Sequence, residues 1–310
     1  MAKRKTIKKK RKPKTQYRNI KMFWGFFGIG LFVIFFVFLL ASWGFFGKLP
    51  DETSLENPEK NLATEIVTID GTTIGKFYKE NRTPVNFKEL PEHLINALLA
   101  TEDVRFYNHS GIDARGTLRA IAFLGNRGGA STITQQLAKL FFTENASKNI
   151  MARILQKSKE WVIAIRLEER YTKEEIITMY FNEYDFLNQA IGIESAAHIY
   201  FDKAPRDLTI SESAILVGMF KNSSLYNPVR NPVGVKNRRN VVLSQMAKYK
   251  FISENIRDSI QNTELEIKFT PQGHDKGIAT YFREYTRNFM HDWSKKKLKR
   301  AHVFDLLGVG

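Results

Sequence analysis

The sequence places one acidic side chain, Glu102, at a position that is expected to raise its pKa. Residues 101–111 read Thr-Glu-Asp-Val-Arg-Phe-Tyr-Asn-His-Ser-Gly, and the apolar pattern before them predicts a helix that opens at Pro91 and ends at Glu102. The negative end of the helix dipole and the adjacent Asp103 would both raise the pKa of Glu102. Such a carboxylate suits a general base. The alternative is a solvated helix end without chemistry.

A second polar cluster follows in residues 128–139, Gly-Gly-Ala-Ser-Thr-Ile-Thr-Gln-Gln-Leu-Ala-Lys. It predicts a helix capped by Ser131 or Thr132 that continues through Phe142. One helix face would present a hydroxyl, an amide and an ammonium group to a polar, anionic ligand: Thr132, Gln136 and Lys139. The opposite face would be apolar: Ile133, Leu137 and Leu140. An ordinary amphipathic surface helix explains the same periodicity equally well.

A third cluster lies within a long predicted helix from Asn149 to about Arg170. Arg153, Lys157 and Glu160 follow one stripe of this helix, so a second carboxylate could lie beside a cationic cluster. A solvated face with salt bridges is the usual explanation of such a pattern.

The elements around these clusters are mainly helical. Residues 66–77 predict a β-hairpin that turns at Asp70-Gly71. Thr172 to Glu175 form a capping box at the start of another helix, and a further helix is predicted from Ile210 to Phe220. Cysteine is absent, which excludes disulfide scaffolds, thiol nucleophiles and zinc sites with cysteine ligands.

The basic charge is concentrated in an N-terminal tail. Lys and Arg number 48 against 32 Asp and Glu, which gives a net charge of +16 in 310 residues. Eleven of these basic residues fall within residues 1–21, where there is no acid. Because the tail ends at an apolar segment, it is expected to hold anionic lipid headgroups, and nucleic acid is not expected as a partner.

Residues 22–47 contain no charged side chain and have Trp24 and Trp43 near their two ends. A helix of this length crosses a bilayer, and tryptophan favours the membrane interface. A cleaved signal peptide is the alternative, but its apolar region is shorter and a cleavage site follows it. By the positive-inside rule, an uncleaved anchor places the N-terminus in the cytoplasm and the remainder outside.

The order of these clusters resembles the peptidoglycan glycosyltransferases of family 51, which include the N-terminal module of class A penicillin-binding proteins. The motif E-D-x-x-F-x-x-H-x-G is matched by five residues: Glu102, Asp103, Phe106, His109 and Gly111. The motif G-x-S-T-x-T-Q-Q is matched from Gly129 to Gln136. The third motif, R-K-x-x-E, is matched at Lys157 and Glu160, but Gln156 replaces its arginine. Looser matches cover residues 173–182 and 214–228.

The resemblance implies a mainly α fold, with a lysozyme-like glycosyltransferase head and a small membrane-associated jaw lobe, preceded by one transmembrane helix and a short β-hairpin. The expected organisation is a basic tail, an anchor, a linker with the hairpin, a glycosyltransferase domain, and the start of a linker to a transpeptidase domain. Their boundaries are 1–21, 22–47, 48–90, 91–265 and 266–310. Truncation of a bifunctional protein is favoured over a naturally single activity.

The resemblance also implies residue roles in polymerising lipid II at the outer face of the bacterial cytoplasmic membrane. Glu102 would be the general base and Glu160 the second carboxylate of the site. The expected substrate-binding residues are Asp103, Phe106, His109, Ser131, Thr132, Gln136, Lys139, Arg153, Lys157 and Lys159. A divalent cation, Mg²⁺ or Mn²⁺, could assist at the pyrophosphate. Expected partners are lipid II, the growing glycan strand, the membrane and other cell-wall synthesis proteins.

Two other functions stay open from the sequence. A lysozyme-like lytic enzyme would need a carboxylic acid that protonates a glycosidic oxygen, and the lysines favour synthesis instead. A membrane-anchored scaffold without catalysis would keep the same motifs only as elements of its fold.

Overall fold

The structure is a computed structural model that describes residues 14–45, 49–50, 64–67, 69, 73–77, 83–123, 129–142, 149–271, 281–282, 285–286, 288–290 and 293. The chain divides into two compact units. The N-terminal unit comprises Met1–Leu49 and Ala146–Val162, and the larger unit comprises Pro50–Asn145 and Ile163–Gly310.

The N-terminal unit contains helix α1, Lys14–Ser42. Its segment Arg18–Ser42 is the one helix of the described residues that is long and apolar enough to cross a membrane. Most of its large side chains are exposed, including Trp24, as expected of a helix whose partner is lipid rather than protein. The predicted apolar helix is therefore confirmed, although it begins earlier than residue 22 and ends at Ser42.

The predicted hairpin is present as two antiparallel strands, β1 (Thr64–Val67) and β2 (Thr73–Phe77). Thr64 pairs with Phe77, and Val67 pairs with Thr73 after a register shift. Strand β1 thus ends before Ile69, and strand β2 begins after Thr72. The predicted Asp70-Gly71 turn lies outside the described residues.

Apart from this hairpin, the described part of the larger unit is mainly helical. The described helices that follow β2 are α2 (Glu92–Glu102), α3 (Ala114–Ala122), α4 (Ile133–Phe142), α5 (Ile150–Arg170), α6 (Lys173–Glu183), α7 (Ile193–Phe201), α8 (Ile210–Met219), α9 (Pro232–Lys248) and α10 (Glu254–Gln261). Of these, α5 begins in the N-terminal unit and ends in the larger one. The mainly α fold is therefore confirmed.

Local signals explain where several helices begin. Pro91 precedes α2 as its N-cap residue, and Thr172 opens α6 with the predicted capping box. Thr209 opens α8 with a second capping box, closed by Glu212. The side chain of Asn231 caps α9, which has Pro232 in its first turn. In each case a side chain satisfies backbone N–H groups that the first turn leaves unpaired, or proline removes one.

The core that supports the end of α2 is formed by α2, α8 and α9, which pack against one another. The large apolar residues of α2 are buried in this core, together with one alanine: Leu94, Ile95, Ala97, Leu98 and Leu99. A second packing pair joins α4 to α6. The α2–α8–α9 core and the α4–α6 pair meet where Glu102 contacts Gln136. Glu102 is the last residue of α2, and Gln136 lies on α4.

The predicted limits of the glycosyltransferase domain, 91 and 265, stay a prediction. Immediately beyond residue 265, the backbone N–H groups of Lys268 and Thr270 donate to carbonyls of Tyr200 and Ile199 at the end of α7. The chain between 266 and 270 therefore packs on the helical unit.

Candidate active site

The carboxylate of Glu102 lies at the C-terminal end of α2, and its side chain is 17% exposed. The amide Nε2 of Gln136 donates to its Oε2 at 3.0 Å. A guanidinium nitrogen of Arg238 lies 3.8 Å from its Oε1. Three helices, α2, α4 and α9, therefore each contribute one side chain to this cluster, which we call the Glu102 cluster.

Burial raises the pKa of Glu102, and the negative charge of Asp103 raises it further. The hydrogen bond from Gln136 and the positive charges of Arg238 and Lys221 act in the opposite direction. The predicted direction is confirmed, but the largest cause is loss of solvent rather than a neighbouring charge. The carboxylate is thus difficult to ionise, yet it is held by groups that favour its charged form.

The amide of Gln136 is held from its other side by Tyr180. The Tyr180 hydroxyl donates to Gln136 Oε1 at 2.8 Å, and its side chain is 1% exposed. Burial raises the pKa of Tyr180 well above its ordinary value, so the hydroxyl keeps its proton. A continuous hydrogen-bonded path therefore runs from Tyr180 through Gln136 to Glu102.

Asp103 is buried and bonded to the protein itself. Its Oδ2 accepts a hydrogen bond from the backbone N–H of Ile133 at 3.2 Å, and His109 Nε2 lies 3.0 Å from the same oxygen. Ile133 is the first residue of α4, so a carboxylate satisfies a helix N-terminus. Asp103 and His109 thus fix the start of the helix that carries Gln136.

Thr132 is also used within the fold. Its hydroxyl donates to the carbonyl of Gly111 at 2.7 Å and accepts from the backbone N–H of Gln135 at 3.1 Å. The Gln135 side chain donates to the same Gly111 carbonyl at 3.1 Å. The predicted cap of α4 is confirmed at Thr132, which is only 1% exposed. Its expected contact with substrate stays a prediction.

Gly111 makes this junction sterically possible. Its φ is +83°, and a Cβ atom there would lie 2.9 Å from the backbone carbon and oxygen of Ala164. Both the left-handed backbone and the contact with α5 require the absence of a side chain.

Gly111→Ala should therefore destabilise the protein by about 2–4 kcal/mol, the cost of a left-handed non-glycine residue plus a steric clash. Gly129→Ala is the matched control, because nothing lies within 4 Å of a Cβ at that position. Urea unfolding of the detergent-solubilised chain measures both. Equal midpoints for the two variants would contradict this account of Gly111.

Phe106 is completely buried, and its expected part in substrate binding stays a prediction. The ammonium group of Lys173 lies 4.2 Å from the centre of its ring. The same ammonium donates to the carbonyl of His109 at 2.6 Å and pairs with Glu168. Phe106 therefore supports the segment between Asp103 and Gly111 from inside the core.

The predicted faces of α4 are only partly correct. Ile133 and Leu137 are fully buried, whereas Leu140 is 41% exposed. On the other side, Ser131 and Gln136 are half-buried and Lys139 is exposed. The first turns of α4 are enclosed by protein, and only its later part reaches solvent, so the simple division into an apolar and a polar face is wrong at Leu140.

The third predicted cluster belongs to the N-terminal unit. Lys157 Nζ donates to Glu160 Oε2 at 2.7 Å, and Glu160 is 4% exposed. Lys159 is half-buried and Arg153 is exposed on the same helix. The predicted pairing of a carboxylate with a cation is therefore present, while a role for these residues beside Glu102 stays a prediction.

Within the described ranges, no group of three or more His, Asp or Glu side chains could hold a metal ion. The Glu160 carboxylate, the nearest match to the predicted pyrophosphate site, accepts a hydrogen bond from Lys157 instead. A divalent cation at the pyrophosphate stays a prediction, since Mg²⁺ is commonly held by one or two carboxylates together with substrate phosphates.

Sequence reasoning missed Arg238 and the hydroxyl of Tyr180. Arg238 reaches Glu102 because its side chain crosses α8 at Gly218, where a Cβ atom would lie 2.9 Å from Arg238 Cγ. Its Nε donates to the Gly218 carbonyl at 3.2 Å. The Asn231-Pro232 pair could have indicated the start of α9, but only packing shows which arginine of that helix meets the carboxylate.

Comparison with known proteins agrees with the motifs. A family model described as Transglycosylase matches residues 70–247. Penicillin-binding protein 1A of Neisseria gonorrhoeae is 36% identical over 279 residues, which cover 87% of this chain and 33% of that protein. Penicillin-binding protein 1F of Bacillus subtilis is 38% identical over 226 residues, which cover 71% of this chain and 31% of that protein.

A solved structure of penicillin-binding protein 1A from Haemophilus influenzae is also similar, with 24% identity, a TM-score of 0.41 and coverage of 77% of this chain and 25% of that one. The chain spans about a third of the length of the curated relatives it matches. The family match covers more than half of the chain, and the relatives align over most of it. The chain therefore belongs to the transglycosylase family.

Proposed function

We propose that this chain is a peptidoglycan glycosyltransferase that polymerises lipid II into glycan strands. The observation that carries the proposal is the Glu102 cluster: a mostly buried carboxylate with a raised pKa, hydrogen-bonded by Gln136 and adjacent to Arg238. Family membership supplies the reaction class, and the cluster supplies a base suited to it.

In the proposed reaction, Glu102 removes the proton from the 4-hydroxyl of the acceptor GlcNAc. The resulting oxygen attacks C1 of the donor MurNAc and inverts that carbon, while the bond from C1 to the pyrophosphate oxygen breaks. Undecaprenyl pyrophosphate leaves with the electron pair. A general base works best when its pKa is close to the working pH, and burial brings the pKa of Glu102 closer to that range.

Cations are needed where the leaving pyrophosphate gains charge. Lys139 is three residues after Gln136 on α4, so the two side chains share one helix face, and Lys139 is exposed. We assign it to the pyrophosphate, with Lys157, Lys159 and Arg153 as further candidates. Glu160, bonded to Lys157, would position that ammonium group.

The remaining predicted site residues take different roles in this proposal. Ser131 stays a candidate for substrate contact because it is half-buried. Asp103, Phe106, His109 and Thr132 act by positioning α4, as their burial and their bonds within the protein indicate.

The lipid-linked substrate and helix α1 together support a location in the bacterial cytoplasmic membrane. The basic tail would face the cytoplasm and the larger unit the outside. The growing glycan strand and the membrane are then direct partners, and cell-wall synthesis proteins are candidate partners.

Labelled lipid II tests the function directly. The detergent-solubilised chain should convert it into a polymer that a muramidase digests. A lytic enzyme would instead release fragments from purified peptidoglycan and form no polymer. A scaffold would do neither, and that result with folded protein would refute the proposal.

Arg238→Gln should narrow the pH range of polymerisation. Arg238 opposes the effect of burial on the pKa of Glu102, so its loss raises that pKa further and leaves less ionised base at a given pH. We expect a rate about tenfold lower near pH 6, with a smaller loss near pH 8 to 9. Rate measurements across pH, with exposed Arg230→Gln as control, check this. The same fractional loss at every pH would contradict it.

A further inference from the structure

The buried Tyr180 hydroxyl is hydrogen-bonded to the side-chain amide of Gln136, which can present either its oxygen or its NH₂ group. Its hydrogen bond within the described part of the chain goes to Gln136 Oε1 at 2.8 Å. The Tyr180 ring stacks on Phe220, with 4.7 Å between ring centres and 28° between planes. The ring is thus held by packing that does not involve the hydroxyl. The hydroxyl is not needed to place the ring, and its contact with Gln136 calls for a separate explanation.

The state of Glu102 decides which edge of the Gln136 amide faces it. An ionised carboxylate only accepts hydrogen bonds, so the amide NH₂ must face Glu102 and its oxygen must face Tyr180. This is the observed arrangement, with Nε2 at 3.0 Å from Glu102 Oε2. A protonated Glu102 could donate its O–H to the amide oxygen only if the amide turned over.

Tyr180 opposes that turnover. If the NH₂ group faced Tyr180, the hydroxyl hydrogen would have no acceptor from Gln136, and the side chain is only 1% exposed to water. A buried donor without an acceptor is costly. The hydroxyl therefore favours the amide orientation that matches the ionised carboxylate.

We propose that Tyr180 is a positioning residue whose hydroxyl fixes the Gln136 amide so that Glu102 stays ionised and correctly oriented as the base. This rests on the proposed function of Glu102. It also changes the role of Gln136, which acts on the base as well as lining the site.

Tyr180→Phe removes the hydroxyl and keeps the stacked ring. We expect polymerisation about tenfold slower near pH 6, with recovery as pH rises, because the acid side of the pH–rate profile moves to higher pH. Tyr200→Phe is the matched control: Tyr200 is equally buried, but its hydroxyl donates to the Phe186 carbonyl at 2.7 Å. The control should lose stability without moving the profile. A Tyr180→Phe profile that only scales down at every pH would overturn the proposal.

A second measurement does not depend on activity. The free energy of unfolding is measured for a protein that has Glu102 and for the same protein with Glu102→Gln. The difference between the two values changes with pH as Glu102 ionises. In the parent sequence, adding Tyr180→Phe should move that change to higher pH. In a protein that already carries Gln136→Leu, adding Tyr180→Phe should leave the change at the same pH. An unmoved change, or an equal movement in both backgrounds, would overturn the role of Tyr180. Absence of polymer from every variant, with the movement present, would refute the proposed function alone.

Discussion

Glu102→Gln is expected to abolish polymerisation while leaving the fold at least as stable. Glutamine cannot take the acceptor proton, and loss of a general base costs about 10²–10⁴-fold in rate. Gln136 and Arg238 hold the carboxylate in place, and a glutamine of the same shape can still accept the Gln136 hydrogen bond with its side-chain oxygen. The assay is polymer yield from labelled lipid II.

Stability should respond in the opposite sense to activity. Burial raises the pKa of Glu102 above 4.5, so folding disfavours its ionised form. The stability that the protonated group contributes is complete below pH 4.5 and is lost as pH rises through the folded pKa. At neutral pH the Glu102→Gln protein should therefore unfold at the same temperature as the parent or higher, and this advantage should disappear near pH 4.

The matched control is Glu174→Gln, which neutralises an exposed carboxylate in the first turn of α6. It should change neither polymer yield nor the pH dependence of unfolding. If Glu102→Gln still makes polymer at a tenth of the parental rate, Glu102 is not the base. If it unfolds well below the parental temperature at neutral pH, the carboxylate is a structural ion pair.

Asp103→Ala is expected to destabilise the protein strongly. Removal of this carboxylate leaves the buried N–H of Ile133 and the Nε2 of His109 without their acceptor. Each buried donor without a partner costs about 1–3 kcal/mol, so we expect a loss of about 2–4 kcal/mol in the free energy of unfolding. Polymerisation should fall as well, because α4 carries Gln136 to Glu102.

Denaturant unfolding of the full chain in detergent measures this loss, with Asp207→Ala as control. Asp207 is 62% exposed and its nearest cation, Arg206, is 4.0 Å away, so its removal should cost less than about 0.5 kcal/mol. Asp103→Asn should fall between the two, since one side-chain oxygen can still accept from Ile133. A value for Asp103→Ala within about 0.5 kcal/mol of the control, the usual effect of a surface substitution, would contradict this structural role of Asp103.

Local patterns in the sequence determined much of this protein. The uncharged segment that begins at Met22 predicted the apolar part of helix α1, and the apolar spacing after Pro91 placed Glu102 at the end of α2. Thr132 and Thr172 began their helices as predicted. These features are readable because caps and helical periodicity depend on residues within about two turns of one another.

Tertiary structure alone decided what surrounds the base. Arg238 reaches Glu102 only because α9 packs on α8 at a glycine, and Tyr180 reaches Gln136 only because α6 packs on α4. Burial, rather than the neighbouring Asp103, is the largest cause of the raised pKa of Glu102, and packing also encloses Phe106 and Thr132. Periodicity shows which side of a helix is apolar, whereas solvent exclusion and contacts between distant segments arise only when several helices pack together.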